Sequence, residues 1–95
     1  MPGVKWTRSA LANLDEQARY IASDDPEAAR RTVARIAAAA ALLAAHPAMG
    51  RPGRVAGTRE LVVAGTPFII PYRVTAGTVE ILRVLHTSRR WPPVE

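Results

Sequence analysis

The last third of the sequence concentrates cationic, titratable and aromatic side chains at the end of a strand-like run. Residues 79–86 are rich in valine, isoleucine and leucine, which predicts a strand. The residues that could bind a target or take part in a reaction lie in this run or directly after it: Arg83, His86, Arg89, Arg90 and Trp91. Arginine binds phosphate, histidine transfers protons near neutral pH, and tryptophan stacks on bases. We therefore expect this region to contact an anionic target.

Each of these residues also has a structural alternative. His86 at a strand end is suited to hydrogen-bonding a backbone carbonyl, and Arg73 and Arg83 are suited to bordering the sheet. Trp91, between arginines and prolines, is suited to packing over the edge of the core. Tyr72 on a strand is more typical of a half-buried position, with its hydroxyl at the rim, than of a catalytic acid.

Several site types are excluded by composition and spacing. The sequence has no cysteine, and its two histidines, His46 and His86, are forty residues apart without nearby carboxylates, so no metal site is expected. We assign His46 to the capping of a helix. The glycines of residues 47–57 neither follow a strand nor open a helix, so we expect no phosphate loop and no cofactor. The usual signatures of a nucleic-acid-binding module are absent, although a basic domain keeps that alternative open.

The net charge of +5 is unevenly distributed. Residues 1–27 carry five acidic and three basic side chains, whereas residues 28–94 carry ten arginines against Glu60 and Glu80, a net charge of +8. Such a field favours an anionic partner, either nucleic acid or an acidic protein segment. The alternative is a solvated basic surface.

The elements that must position these residues follow from periodicity and capping signals. A short edge strand at 3–7 precedes a helix at 10–22, and Asp25 and Pro26 start a second helix that should end at His46, before Pro47. After a loop at 47–57, strands are predicted at 58–63, 68–74 and 79–86, joined by hairpin-length separators. The pattern β-α-α-β-β-β predicts one α+β domain, residues 1–95, with a helical hairpin on a small, mainly antiparallel sheet.

Two features of these strands predict irregularity. Pro71 cannot donate a hydrogen bond to a neighbouring strand, so we expect a break in the ladder there. In the last strand, strict alternation places both apolar and polar or charged residues on each face. This is typical of a strand that is covered on one side and partly available for binding on the other.

The longest apolar run, residues 36–45, spans ten residues, whereas a membrane span needs about 20. No membrane association is therefore expected.

The sequence resembles the RelE/ParE superfamily of toxins from bacterial type II toxin-antitoxin systems. The resemblance covers nearly the whole chain. It is carried by Trp6-Thr7, the helix at residues 10–21, Pro47-x-x-Gly50-Arg51, Gly57-Thr58-Arg59-Glu60-Leu61, Pro71-Tyr72-Arg73-Val74 and Val79-x-Ile81-Leu82-Arg83-Val84-Leu85-His86. It implies a cytoplasmic toxin held inactive by a cognate antitoxin, which also binds its own promoter DNA.

The superfamily has two activities. RelE-like members cleave messenger RNA in the ribosome and usually carry an arginine early in the penultimate strand, where this chain has Phe68, Ile69 and Ile70. If the chain is such an endoribonuclease, Arg83, His86 and Arg89 are the candidate catalytic residues.

ParE-like members instead poison DNA gyrase and are inhibitors rather than enzymes. The missing early arginine favours this branch, with the ribosome as the alternative target. The candidate target-binding residues are Arg59, Arg73, Arg83, His86, Arg89, Arg90 and Trp91.

Overall fold

A short strand leads directly into two helices, and the chain then returns as a series of strands. The computed structural model describes residues 3–87. Its elements are β1 (Val4–Trp6), α1 (Arg8–Ala22), α2 (Pro26–Leu42), β2 (Arg51–Pro52), β3 (Arg59–Val62), β4 (Phe68–Thr75), β5 (Thr78–Ile81) and β6 (Leu85–His86). The predicted order of helices and strands is confirmed, with a two-residue strand added inside the predicted loop.

The strands within residues 3–87 form one mixed sheet. The order is β1-β5-β4-β3-β2, and β6 also pairs with β4. Neighbours in this order are antiparallel except β1 and β5, which run parallel with Val4 opposite Val79. The predicted α+β architecture and the edge position of the first strand are confirmed.

The helical hairpin packs on one face of the sheet, which we call the helix face; the other is the open face. Small and branched residues of the helices meet the large residues of the central strands there. The buried cluster comprises Ala10, Ile36, Ala40, Leu43, Leu61, Val63, Phe68, Ile70, Tyr72, Val79, Ile81 and Val84. Alanines at the helix side allow the backbones to approach closely, because their side chains end at Cβ.

Side-chain caps determine where both helices begin. The Thr7 hydroxyl accepts a hydrogen bond from the Ala10 amide at 3.1 Å, so α1 starts at Arg8, two residues before the predicted start. Asp25 accepts from the Ala28 amide at 3.1 Å, and Pro26 occupies the first turn of α2, where its missing amide hydrogen has no cost. The predicted restart at Asp25 and Pro26 is confirmed.

The predicted end of the second helix is wrong by four residues. α2 ends at Leu42, where tighter i to i−3 hydrogen bonds take over: Leu43 donates to Ala40 and Ala44 donates to Ala41. His46 therefore lies beyond the last helical turn, and its backbone amide donates to the Leu42 carbonyl at 3.0 Å. The helix unwinds before Pro47 forces it to do so.

Candidate target-binding surface

The last predicted strand is split by a β-bulge. β5 and β6 both pair with β4, with Ile81 opposite Tyr72 and Leu85 opposite Ile69. Three residues of the last strand therefore face two residues of β4. The amides of Leu82 and Arg83 both donate to the Pro71 carbonyl, at 2.9 and 3.4 Å. This two-to-one pairing defines the bulge and confirms the predicted irregularity at Pro71.

Proline accounts for the position of the bulge. In an antiparallel ladder the N–H and C=O of one residue point to the same neighbouring strand, so the nitrogen of Pro71, like its carbonyl, faces the bulge but has no hydrogen to donate. The Leu82 carbonyl accepts instead from the Thr7 hydroxyl at 3.1 Å. The Val84 amide, displaced from the ladder, donates to Asn13 Oδ1 at 3.2 Å.

The bulge decides where Arg83 and His86 lie. Because one residue is added, Val84 turns into the core and His86 falls on the helix face, opposite Phe68. The imidazole meets the Phe68 ring edge to face, with centroids 5.6 Å apart. Arg83 is half-buried in the bulge itself, with Nη1 3.4 Å from the Leu82 carbonyl oxygen. The positions of the two candidate residues thus depend on the same irregularity.

Arg73 lies on the open face. Its Nε donates to Glu80 Oε1 at 2.6 Å, and Lys5 lies on the other side of Glu80 in the adjacent strand. The Arg73 side chain is 53% exposed, so solvent screens the pair and leaves it a small contribution to stability. The row formed by Lys5, Glu80 and Arg73 presents two cations and one carboxylate to an approaching partner.

Arg59 is occupied with the loop that follows α2. Its Nη1 donates to the carbonyl of Gly50 at 2.8 Å and reaches that of Ala48 at 3.4 Å. Arg59 is opposite Tyr72, and residues opposite one another share a sheet face, so Arg59 lies on the helix face whereas Arg73 lies on the open face. A partner that touches both must reach around the edge of the sheet.

Tyr72 is fully buried rather than placed at the rim. Its hydroxyl accepts from the Gly50 amide at 2.8 Å and donates to the Pro47 carbonyl at 2.7 Å. A Cβ on Gly50 would lie 2.7 Å from the tyrosine ring, so only glycine fits this approach. The expectation that Tyr72 is structural is supported, and its hydroxyl already has both partners inside the protein.

Glu60 is a buried charge to which the sequence analysis assigned no role. Its side chain is 2% exposed; one oxygen lies 3.2 Å from Arg51 Nη2 and the other accepts from the Arg54 amide at 3.2 Å. A buried carboxylate requires such partners. One feature of the sequence could have drawn attention to it: Glu60 is the one acidic residue between residues 28 and 79. We call Arg59, Glu60 and Tyr72 the loop clamp, because together they bind the backbone and side chains of residues 47–54.

The remaining predicted contacts, Arg89, Arg90 and Trp91, lie outside the described residues. Within residues 3–87, no group of three histidine, aspartate or glutamate side chains could hold a metal ion. Over the same range, neither helix is long and apolar enough to cross a membrane.

A shallow apolar groove runs between the two helices. Its volume is about 520 Å³. It is lined by Ala18, Ala22, Pro26, Ala29, Val33 and Ala34, with Arg19 and Arg30 at its rim. Each rim arginine pairs with an acid of its own helix, Arg19 with Asp15 at 3.0 Å and Arg30 with Glu27. The groove therefore combines an apolar floor with charged borders.

The fold and sequence together match one toxin family. A family model described as ParE toxin of the type II toxin-antitoxin system parDE matches residues 4–91. The chain belongs to this family. This chain is also 36% identical to a chain of the chromosomal ParDE toxin-antitoxin system from P. aeruginosa, with a TM-score of 0.80 over 90% of this chain and 96% of that one.

Two further relatives extend the similarity. Y4kP of Sinorhizobium fredii, provisionally named as a toxin, is 55% identical over 91 residues, covering 96% of this chain and 94% of Y4kP. Toxin RelE2 of Caulobacter vibrioides is 43% identical over 89 residues, covering 94% and 99% of the two chains. A chain of the RelBE2 complex from Mycobacterium tuberculosis is 29% identical, with a TM-score of 0.66 over 90% of this chain and 99% of that one.

Proposed function

We propose that this ParE-family toxin inhibits growth by poisoning DNA gyrase and that a cognate antitoxin neutralises it. The antitoxin would also carry the complex to operator DNA. Support for an antitoxin partner comes from the family description and from the two solved toxin-antitoxin systems with the same fold. In this role the toxin is an inhibitor and performs no bond chemistry of its own.

The observation that carries the gyrase proposal is the burial of the first half of β4. Phe68, Ile69 and Ile70 are 2%, 5% and 0% exposed. They stand at the place where RelE-like members of the superfamily usually carry an arginine. An apolar, buried segment supplies no cation to a scissile phosphate. The nearby hydroxyl of Tyr72 is engaged by the loop and offers no acid for a leaving oxygen.

We assign target contact to the side chains around the bulge and along the sheet. Arg83 and His86 form the centre of this proposed surface, with Arg59 and Arg73 at its flanks. We also assign target contact to Arg89, Arg90 and Trp91, which follow β6 in the sequence and lie outside the described residues. The charge of these residues suits a target that holds DNA, because cations contact the backbone phosphates.

Ribosome-dependent RNA cleavage is the second candidate. It is supported by the 43% identity to toxin RelE2 and by the shared fold of the RelBE2 complex. In that case Arg83 and His86, together with Arg89, would bind the phosphate and move the proton. The two candidates use the same residues but predict different first effects in the cell.

Purified toxin mixed with gyrase, supercoiled plasmid and ATP tests the first candidate. We expect cleaved plasmid to accumulate with increasing toxin. Arg83→Ala should require about tenfold more toxin, which equals about 1.4 kcal/mol of lost contact energy. Arg31→Ala, on the exposed surface of α2, is the matched control and should behave as wild type.

Induction in cells separates the candidates independently. A gyrase poison should cause filamentation and a DNA-damage response while protein synthesis continues at first. Immediate arrest of translation, with codon-phased cuts in ribosome-bound messenger and intact gyrase activity, would instead assign the chain to the RNA-cleaving class.

A further inference from the structure

The bulge between β5 and β6 is tied to the beginning of α1 by two polar side chains. The Thr7 hydroxyl accepts from the Ala10 amide and donates to the Leu82 carbonyl, both at 3.1 Å. Asn13 Oδ1 accepts from the Val84 amide at 3.2 Å. The Thr7–Leu82 and Asn13–Val84 bonds each join residues more than seventy positions apart in the sequence.

The core and these two bonds control different properties of the bulge. Burial of Ile81 and Val84 determines which residues face the helices, so the register is set by apolar packing. The peptide planes within the bulge are oriented by hydrogen bonds. The Leu82 and Arg83 amides donate to the Pro71 carbonyl. The two remaining groups, the Leu82 carbonyl and the Val84 amide, are bound by Thr7 and Asn13.

The Leu82 carbonyl oxygen links Thr7 to Arg83, a candidate target-binding residue. Leu82 accepts from the Thr7 hydroxyl and, at 3.4 Å, from Arg83 Nη1. The amide bound by Asn13 belongs to the residue directly after Arg83. The backbone on both sides of Arg83 is therefore fixed by α1, and the two residues leading to His86 continue from that fixed point.

We propose that Thr7 and Asn13 are positioning residues for toxicity, which fix the direction in which Arg83 and His86 are presented to the target. This inference rests on the proposed function, because it assumes that Arg83 or His86 contacts the target. Thr7 has a second role as the cap of α1, so its variants must separate the cap from the bond to Leu82. Asn13 has no such second role among the contacts described for residues 3–87.

Four variants separate these bonds from general effects on folding. Asn13→Leu removes the acceptor and keeps the number and branching of the side-chain heavy atoms, whereas Asn13→Asp keeps a side-chain oxygen for Val84. Thr7→Asp keeps a capping acceptor for Ala10 but has no hydrogen for Leu82, whereas Thr7→Ser keeps both functions. Gln17→Leu, one turn further along α1, is the control for replacing a half-buried polar residue with leucine.

The measurements are growth inhibition on induction, antitoxin affinity, amide exchange at Val84, and the NMR shifts of the His86 ring protons beside Phe68. We expect Asn13→Leu and Thr7→Asp to weaken toxicity by about tenfold or more, because small misplacements of contact groups have large effects. Antitoxin affinity should change less than about threefold, which corresponds to well under 1 kcal/mol. In Asn13→Leu the Val84 amide should exchange faster and the His86 signals should move. Asn13→Asp, Thr7→Ser and Gln17→Leu should retain toxicity.

Three outcomes would overturn the inference. One is full toxicity of Asn13→Leu despite faster exchange at Val84, and another is unchanged exchange at that amide. The third is a parallel loss of toxicity and antitoxin affinity, which would make the role structural. Failure of the wild-type toxin to act on gyrase would reject the proposed target only, since growth inhibition compares Asn13→Leu with Asn13→Asp whatever the target is.

Discussion

At the scale of single residues, Tyr72 shows how a hydroxyl group organises a loop rather than a reaction. Both of its hydrogen bonds go to backbone groups of residues 47–50, and the ring leaves no space for a side chain at Gly50. Together with Arg59 and Glu60 it forms the loop clamp, which attaches an irregular segment to β3 and β4. Residues 47–57 contain two prolines and three glycines. Three polar side chains, rather than apolar packing, therefore hold this loop in place.

Tyr72→Phe tests the clamp. The change leaves the buried Gly50 amide without an acceptor, and we expect a loss of about 2 kcal/mol in the free energy of unfolding. For a chain of this size that lowers the melting temperature by roughly 10 °C. Tyr20→Phe is the control, because Tyr20 is 77% exposed and its change should stay within about 0.5 kcal/mol. Thermal melts that do not distinguish the two variants would contradict the clamp.

The sequence indicated part of this residue-scale picture. A tyrosine on a strand is typically half-buried, so a structural role was predicted for Tyr72, which the structure shows fully buried. It could not reveal the partners of the hydroxyl, because Pro47 and Gly50 approach Tyr72 only through the tertiary fold. Glu60 stands out in the sequence as an isolated acidic residue among arginines. Its burial and its contacts with Arg51 and Arg54 depend on the tertiary fold and could not be predicted from that isolation.

At the scale of elements, the sequence was sufficient to predict those boundaries that are determined by neighbouring residues. Thr7 and Asp25 each accept from the amide three residues ahead, and Pro26 fits the first helical turn. The helix starts were predictable from these residues to within two positions. The bulge was not predictable in detail, because its cause lies partly on another strand. Pro71 and the mixed alternation of the last strand were both visible, but joining them requires knowing that residues 71 and 82 are neighbours. With one residue inserted, Val79, Ile81 and Val84 fall on a single buried face.

The β4–β5 hairpin offers a test at this scale. Ala76 and Gly77 form its two-residue turn with φ of 51° and 78°, a conformation that glycine and asparagine adopt more easily than alanine. Ala76→Gly or Ala76→Asn should therefore stabilise the protein by about 0.5–1 kcal/mol. Chemical denaturation should show a higher midpoint at unchanged slope. Thr66→Asn, in the neighbouring hairpin connection, is a control that should bring no gain because Thr66 hydrogen-bonds Val63 and Phe68.

At the scale of the whole molecule, charge and shape favour two different partner surfaces. The acidic residues cluster in the first 27 positions, which include α1, whereas the basic excess of +8 belongs to residues 28–94. The groove between the helices is apolar, and the sheet carries Arg73 and the bulge residues on other sides of the molecule. An antitoxin with an apolar helix and an acidic extension would satisfy both the groove and the basic surface.

Replacing either of two alanines of α2 with glutamate tests whether the groove binds the antitoxin. Ala34→Glu places a bulky anion on the groove wall and should weaken binding of the cognate antitoxin, which we expect to be encoded beside the toxin gene, by about tenfold or more. Ala38→Glu, an exposed alanine one turn along α2 and outside the groove lining, should leave the affinity unchanged. Calorimetry with the purified antitoxin measures both. Equal affinities for the two variants would place the antitoxin elsewhere.

The parallel pairing of β1 with β5 constrains how the chain acquires its fold during synthesis. Val4 must find Val79, seventy-five residues away, so the edge of the sheet closes only after residues 78–81 have emerged from the ribosome. Closure of so long a loop has a high entropic cost, so we expect it to follow formation of the more local hairpins and the helical pair. Because Thr7 and Asn13 reach the bulge only after this closure, the surface proposed for target contact is completed among the last events of folding. A nascent chain therefore lacks that surface at the stage when α1 and α2, within residues 8–42, can already pack together.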